Sequence, residues 1–194
     1  QKAEMKKYYS ADGAHTIALG TDLDSGVVIK VSTDSQKRIF IGNRMDNVQV
    51  ISEICRQVEE SGLVLKLYSN RSEQLGIQDV AIIDNIDEYV EQIEAGDDIL
   101  VLDGFADLYD EISDEALEQL ERMLRTNTDK VIITFDSMER ISDYSSTELF
   151  LRLVKCETGM IVGGGADNVL AYLLNDEFYS MPEEYRSLQL EESQ

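Results

Sequence analysis

The sequence predicts an α/β domain with a mostly parallel, doubly wound sheet and helices on both faces. Three observations predict it. Short apolar runs at strand spacing alternate repeatedly with stretches at helical spacing, the order of a parallel sheet with crossover helices. The runs at residues 38–41 and 98–103 are almost continuously apolar, as strands covered on both faces are. Finally, 194 residues with 43% hydrophobic content suit one domain large enough to bury a sizeable core.

The elements follow in order. Residues 1–15 are polar, carry Lys2, Lys6 and Lys7, and read as a linker from a preceding domain. Residues 16–20 and 27–31 are strand candidates separated by a turn-rich stretch, a hairpin expected at the edge of the main sheet. Residues 38–41 form an apolar strand ending at Gly42. A helix follows from Asp46 or Asn47, with Ile51, Ile54, Cys55 and Val58 on one face and Gly62 as its stop. Residues 63–68 alternate as a strand, residues 70–76 are polar loop, and Ile77 or Val80 to Ile83 is a further strand. Ile86, Tyr89, Val90 and Ile93 mark a short helix ended by Gly96.

The run at residues 98–103 reads as a buried central strand whose acid, Asp103, falls at the carboxyl edge of the sheet, where open α/β folds bind ligands. Ser113 is a good N-cap, and Ile112 with Leu117 has the spacing of a hydrophobic staple. Leu117, Leu120, Met123 and Leu124 give that helix its apolar face, and its acids read as a solvated face. Residues 130–135 form the next strand, residues 147–155 a helix and residues 160–162 a short strand. Three glycines, Gly163, Gly164 and Gly165, then precede a helical pattern capped by Asp167 or Asn168. Residues 181–194 form an acidic tail.

The stretch 37–49 is strand, tight loop and helix. A phosphate-binding loop of that shape reads G-x-x-x-x-G-K-[ST], with glycines that bring backbone amides to phosphates, a Lys on the terminal phosphates and a hydroxyl on magnesium. Here Gly42 opens the loop and Asn43, Arg44, Met45 and Asp46 fill it, but Asn47, Val48 and Gln49 stand where Gly, Lys and Ser/Thr belong.

With the Ile-Ala-Leu-Gly of residues 17–20, the loop at Gly42, the strand 99–103 and the Gly-Met-Ile-Val-Gly-Gly of residues 159–164, the chain resembles the FtsK/SpoIIIE-type ATPases. Within them it is most similar to the last, third ATPase-like domain of the EssC coupling proteins of type VII secretion. The resemblance covers nearly the whole chain and implies a RecA-like P-loop NTPase fold over residues 16–180. It also implies a degenerate Walker A loop at residues 42–49 and a degenerate Walker B acid at Asp103. In working motors of the family a second acid follows the first to polarise the attacking water, and here Gly104 replaces it. Thr134 occupies the place where related motors put a polar residue that senses the terminal phosphate. The implied parent is a bacterial cell-membrane protein with this domain in the cytoplasm, linked to other ATPase domains of the same polypeptide. Its other implied partners are small helical secreted proteins, and the full-length parent could assemble as a homo-oligomer.

Composition narrows the functions. The net charge of -22 comes from 39 acidic against 17 basic residues, with no concentration of Lys and Arg to displace counterions from phosphates, so nucleic acid is not expected as a partner. No apolar run reaches the roughly 20 residues of a membrane helix. Cys55 and Cys156 lie far apart, with His15 the sole histidine, so neither a zinc site nor catalytic metal residues are expected. No cofactor is expected beyond, at most, weak ATP and magnesium. A receiver-type reading with Asp103 as phosphoacceptor lacks the Lys and the acid pair it needs. Two readings stay open: a catalytically degenerate motor domain acting in substrate recognition or control of neighbouring ATPase domains, and an active ATP-binding NTPase with an atypical Walker A loop.

Overall fold

The structure is a computed structural model. It describes residues 16–21, 28–32, 34, 37–78, 80–127, 129–154 and 158–163. The linker at 1–15, Cys156, most of the glycine loop at 163–165, the helix expected after it and the tail at 181–194 lie outside the described residues.

The elements run β1 (Thr16–Thr21), β2 (Val28–Ser32), β3 (Arg38–Asn43), α1 (Val48–Glu60), β4 (Leu65–Ser69), α2 (Ser72–Leu75), β5 (Ile82–Ile83), α3 (Ile86–Gln92) and β6 (Ile99–Asp103). They continue α4 (Phe105–Glu111), α5 (Asp114–Thr126), β7 (Val131–Ser137), α6 (Ile141–Tyr144), α7 (Glu148–Val154) and β8 (Thr158–Val162). Six strands form one sheet in the order β5-β4-β6-β7-β3-β8, and every pairing is parallel. β3 and β6 are interior strands, buried along almost their whole length, as their continuous apolar runs require.

The core is divided by the sheet. On one face α1 presents Val50, Ile51, Ile54, Cys55 and Val58 to Ile39, Ile41, Val101 and Ile133. On the other, α3 to α7 cover Phe40, Tyr68, Leu100, Leu102 and Ile132. Phe105 of α4 anchors that second layer, with ring contacts to Tyr144 at 4.8 Å, Phe150 at 5.2 Å and Tyr109 at 5.8 Å. Aromatic pairs at such distances add about 0.5–1.5 kcal/mol beyond the area they bury.

Helix ends follow the sequence where the cap is local. Ser113 Oγ accepts from Ala116 N at 3.1 Å and Asn85 Oδ1 from Glu88 N at 3.0 Å. α1 stops two residues before Gly62, whose φ is +81°.

Several expectations need correction. The β1–β2 hairpin is antiparallel as expected, but it is a separate two-stranded sheet laid on α1, not an edge of the main one. β8 already takes the outer side of β3, and the amide of Gln57 stands in for a strand neighbour. Ala18 N donates to its Oε1 at 2.9 Å and its Nε2 donates to Ala18 O at 2.7 Å. The polar loop after β4 contains α2, and the strand expected from Ile77 or Val80 shrinks to Ile82–Ile83. β7 continues past Phe135 to Ser137.

Candidate functional site

The carboxyl ends of the parallel strands meet in a cleft of about 500 Å³, lined by residues 43–47 after β3, Arg71 after β4 and residues 137–139 after β7. Its position follows from topology. β3 and β7 are neighbours, yet β3 leads into α1 on one face and β7 into α6 and α7 on the other, so their carboxyl ends diverge and leave a crevice.

Behind Arg71 lies Asp103, whose side chain is 4% exposed. Arg71 grips it with both arms of its fork: Nε donates to Oδ2 at 2.9 Å and Nη2 to Oδ1 at 2.9 Å. Ser69 Oγ adds a hydrogen bond to Oδ2 at 2.6 Å, and Arg71 Nη2 also donates to Asn47 Oδ1 at 2.5 Å. Asn47 Nδ2 in turn donates to Asn43 Oδ1 at 3.3 Å. One guanidinium thus ties the ends of β4 and β6 to the loop between β3 and α1. Its hydrogen bonds to Asp103, working against burial, push the Arg71 pKa further up. A paired, planar fork of this kind is the strong form of a charge-assisted hydrogen bond.

The loop itself is folded around its own side chains. Gly42 admits a close approach as phosphate-binding glycines do, but what approaches is Met138: a Cβ at Gly42 would lie 2.1 Å from its Sδ. At the start of α1, Asn47 is buried and Asp46 Oδ1 accepts from Val48 N at 3.0 Å, so a carboxylate of this chain meets the positive end of the helix. Arg44 N donates to Val162 O at 2.9 Å, fastening the loop to β8, and Met45 stands 42% exposed at the mouth.

Beyond Asp103, Gly104 sits at φ +97°, a conformation that disfavours a side chain, and begins α4. The cap for that helix comes from β7: Asp136 Oδ2 accepts from Ala106 N at 2.9 Å and also receives the Tyr144 hydroxyl, while Oδ1 accepts from Ser137 N at 2.8 Å. Nearby, Asp107 accepts from Asn70 Nδ2 and Arg140 Nη1, both at 2.9 Å. Burial works against its ionisation, but these partners win and hold its pKa below the ordinary value.

Two predictions arise here. Replacing Gly104 by Glu, which would place an acid after Asp103, forces a side chain onto a left-handed backbone. It is expected to cost about 1–3 kcal/mol in denaturant unfolding. The second concerns Asp136, whose pKa burial raises from 3.8 to about 6. The native state then holds a proton that the unfolded state has lost, so this contribution is fully present below about pH 4 and disappears as pH rises through about 6. Stability measured against an Asp136→Asn variant should fall across that window, by up to about 1.4 kcal/mol per pH unit. A flat difference between the two proteins would contradict it.

Of the residues singled out in the sequence, the structure brings Asn43, Arg44, Met45, Asp46 and Asn47 to the cleft, with Gly42 packed beneath Met138 and Asp103 linked through Arg71. Val48 and Gln49 open α1 and are half-buried. Thr134 is not at the cleft. It lies inside β7, paired to Phe40 and Leu102, fully buried with its hydroxyl unbonded, because the strand runs two residues further than expected. The polar side chain that β7 gives to the cleft wall is Ser137. Ser69, Arg71, Asp136 and Tyr144 were missed. The rule that exposed Asp103, polar residues at carboxyl ends of strands, applies equally to Ser69, Arg71 and Asp136. Among the described residues no group of three His, Cys, Asp or Glu is placed to hold a metal ion.

No family model matches the sequence, and no curated protein matches it. Solved structures do match the fold. ATPases 2 and 3 of Thermomonospora curvata EccC, in complex with a signal sequence peptide, align over 80% of this chain with a TM-score of 0.59 and 15% identity. The cytoplasmic domain of the type VII secretion ATPase EccC of the same organism aligns over 79% with a TM-score of 0.59 and 13% identity. The cytoplasmic domain of EssC aligns over 92% with a TM-score of 0.60 and 9% identity. This chain spans 35%, 22% and 41% of those chains respectively. Its fold is that of the P-loop ATPase domains of these secretion proteins, as the resemblance read from the sequence implies.

Proposed function

We propose that the chain is a catalytically degenerate motor domain of a membrane-anchored bacterial type VII secretion ATPase. It acts in the cytoplasm by contact, on neighbouring ATPase domains of the same polypeptide or on an exported protein. The observation that carries the reading is the grip of Arg71 on both carboxylate oxygens of Asp103. An acid that is to help hold magnesium must offer an oxygen to the ion. Here the guanidinium and Ser69 hydrogen-bond both, and Asn47 accepts from the guanidinium and holds it in place.

Three further observations support it. No Lys stands in the loop, Asp46 meets the helix start where a phosphate would be bound, and Gly104 supplies no acid to orient water. The residues present do not fit magnesium-ATP, and no step of phosphoryl transfer is derived through it. Arg44 and Arg71 keep an anion-attracting element in the cleft, which is what the alternative reading, an active NTPase with an atypical loop, would have to use.

The contact role is tested by measuring ATP hydrolysis of a neighbouring ATPase domain with and without this chain, supplied in the same polypeptide. The expected result is a change in the neighbour's rate, with no turnover that survives when the neighbour's own catalytic acid is removed. Residual hydrolysis in that variant would place activity in this chain and overturn the reading.

A further inference from the structure

Between Arg71 and Arg122 the chain carries 17 carboxylates and no Lys, Arg or His. The fold gathers part of this stretch onto one side. α3 packs against α5, and Asp87 Oδ1 accepts from Ser113 N at 2.9 Å, which sets the start of α5 beside the start of α3. Glu88 and Glu91 of α3 therefore stand beside Glu111, Asp114 and Glu115, all exposed, and among the described residues none of these forms an ion pair. The half-buried side chains of Tyr109, Ile112 and Leu117 pack against the core within the same helices, so the surface is not purely charged.

A separate feature lies beneath it. Tyr68, at the carboxyl end of β4 on this face, is fully buried, and its hydroxyl has no hydrogen-bond partner. Burial first, and then the carboxylates of Glu111, Asp107, Asp103 and Asp84, raise its pKa, so the hydroxyl stays neutral in a field that favours a cation. A buried polar group is ordinarily paired, and an orphan of this kind calls for a missing partner. Among the described residues no trio of acids is placed to hold a metal ion, and a bare ion would make no use of Tyr109, Ile112 and Leu117.

We propose that the face built by α3, α4 and the start of α5 docks a lysine- or arginine-bearing amphipathic segment of a partner protein. Docking uncovers the buried Tyr68 hydroxyl, which then meets one cationic head near Asp84 and Glu111. The inference rests on the contact-module reading and assigns that contact a surface and a chemistry. Charge complementarity of this sort acts mainly through association rate and specificity.

The test titrates the full chain with a decalysine peptide at low salt, following backbone amide shifts. Shifts centred on Tyr68, Asp84, Glu88 and Glu111 are expected. Glu88→Gln/Glu91→Gln/Glu111→Gln/Glu115→Gln should weaken binding about tenfold, while the charge-matched set Glu59→Gln/Glu73→Gln/Asp143→Asn/Glu148→Gln should weaken it less than about threefold. Tyr68→Phe adds a readout that a structural role alone would not move: removal of the orphan hydroxyl should leave the free protein at least as stable while lowering peptide affinity. Equal weakening by both sets, or unchanged affinity in Tyr68→Phe, would overturn the proposal. So would shifts at these residues produced by magnesium chloride and not displaced by the peptide. Diffuse peptide binding without nucleotide binding would remove this surface and leave the contact module standing. Micromolar magnesium-ATP binding with focused peptide shifts would do the reverse.

Discussion

Arg71→Ala should destabilise the domain by about 3 kcal/mol, because it strands the buried Asp103 carboxylate without its counter-charge. The partners set this estimate at the lower end of the range for broken buried pairs: Asp103 is 4% exposed, but the Arg71 side chain is 31% exposed, and water can partly replace it. A second substitution separates the charge from the packing. Asp103→Asn removes the need for a cation, so the double variant Arg71→Ala/Asp103→Asn should recover part of the loss, a coupling that a double-mutant cycle in denaturant reads directly. Arg71→Lys should fall between, since an ammonium keeps the charge but cannot span both oxygens. A single variant within about 0.5 kcal/mol of the wild type, with no coupling to Asp103, would show that the pair contributes nothing.

Phe105→Ala carries the largest expected loss, about 3–5 kcal/mol. Its ring is fully buried between Tyr144, Phe150 and Tyr109, and through Phe150 it reaches Phe40 of β3, with ring centres 5.4 Å apart. Truncation leaves a cavity at the point where α4, α6 and α7 meet the sheet. Chemical denaturation should show the midpoint falling with the slope unchanged. The consequence for the cleft is specific. α4 starts at Gly104, next to Asp103, and its cap is Asp136, so loosening this layer should also weaken the pH dependence that Asp136 introduces. A loss under about 1 kcal/mol would mean that the aromatic layer repacks freely, and the rigid placement of α4 would be wrong.

What could be read from the sequence was set by how local each cause is. α1 and α5 carry their own signals, apolar residues at helical spacing and, for α5, Ser113 at the cap, so both helices stand close to where the spacing puts them. α4 was not legible. It is seven residues long, and its N-cap is a glycine with no side chain to cap it, so the hydrogen bond to Ala106 N comes from Asp136, 30 residues beyond Ala106. The hairpin was recognised as a hairpin, but its position depends on the side chain of Gln57, which no strand pattern reveals. The cleft shows the same division. Gly42 and Asp103 were found because each ends an apolar strand. Arg71 was not, since only the parallel register of Ser69 with Asp103 brings the end of β4 to the end of β6. Thr134 was misplaced for a related reason: an apolar strand reading stops at Phe135, whereas the backbone ladder carries polar Asp136 and Ser137 two residues further.

If Arg71 stands where magnesium-nucleotide would meet Asp103, calorimetric titration of the chain with ATP and magnesium at neutral pH will show it. No saturable heat is expected below about millimolar nucleotide, the regime of only about -4 kcal/mol. Saturable binding at micromolar concentration would contradict it, since the loop, Asp46 and Arg71 would then have to rearrange to admit the phosphates.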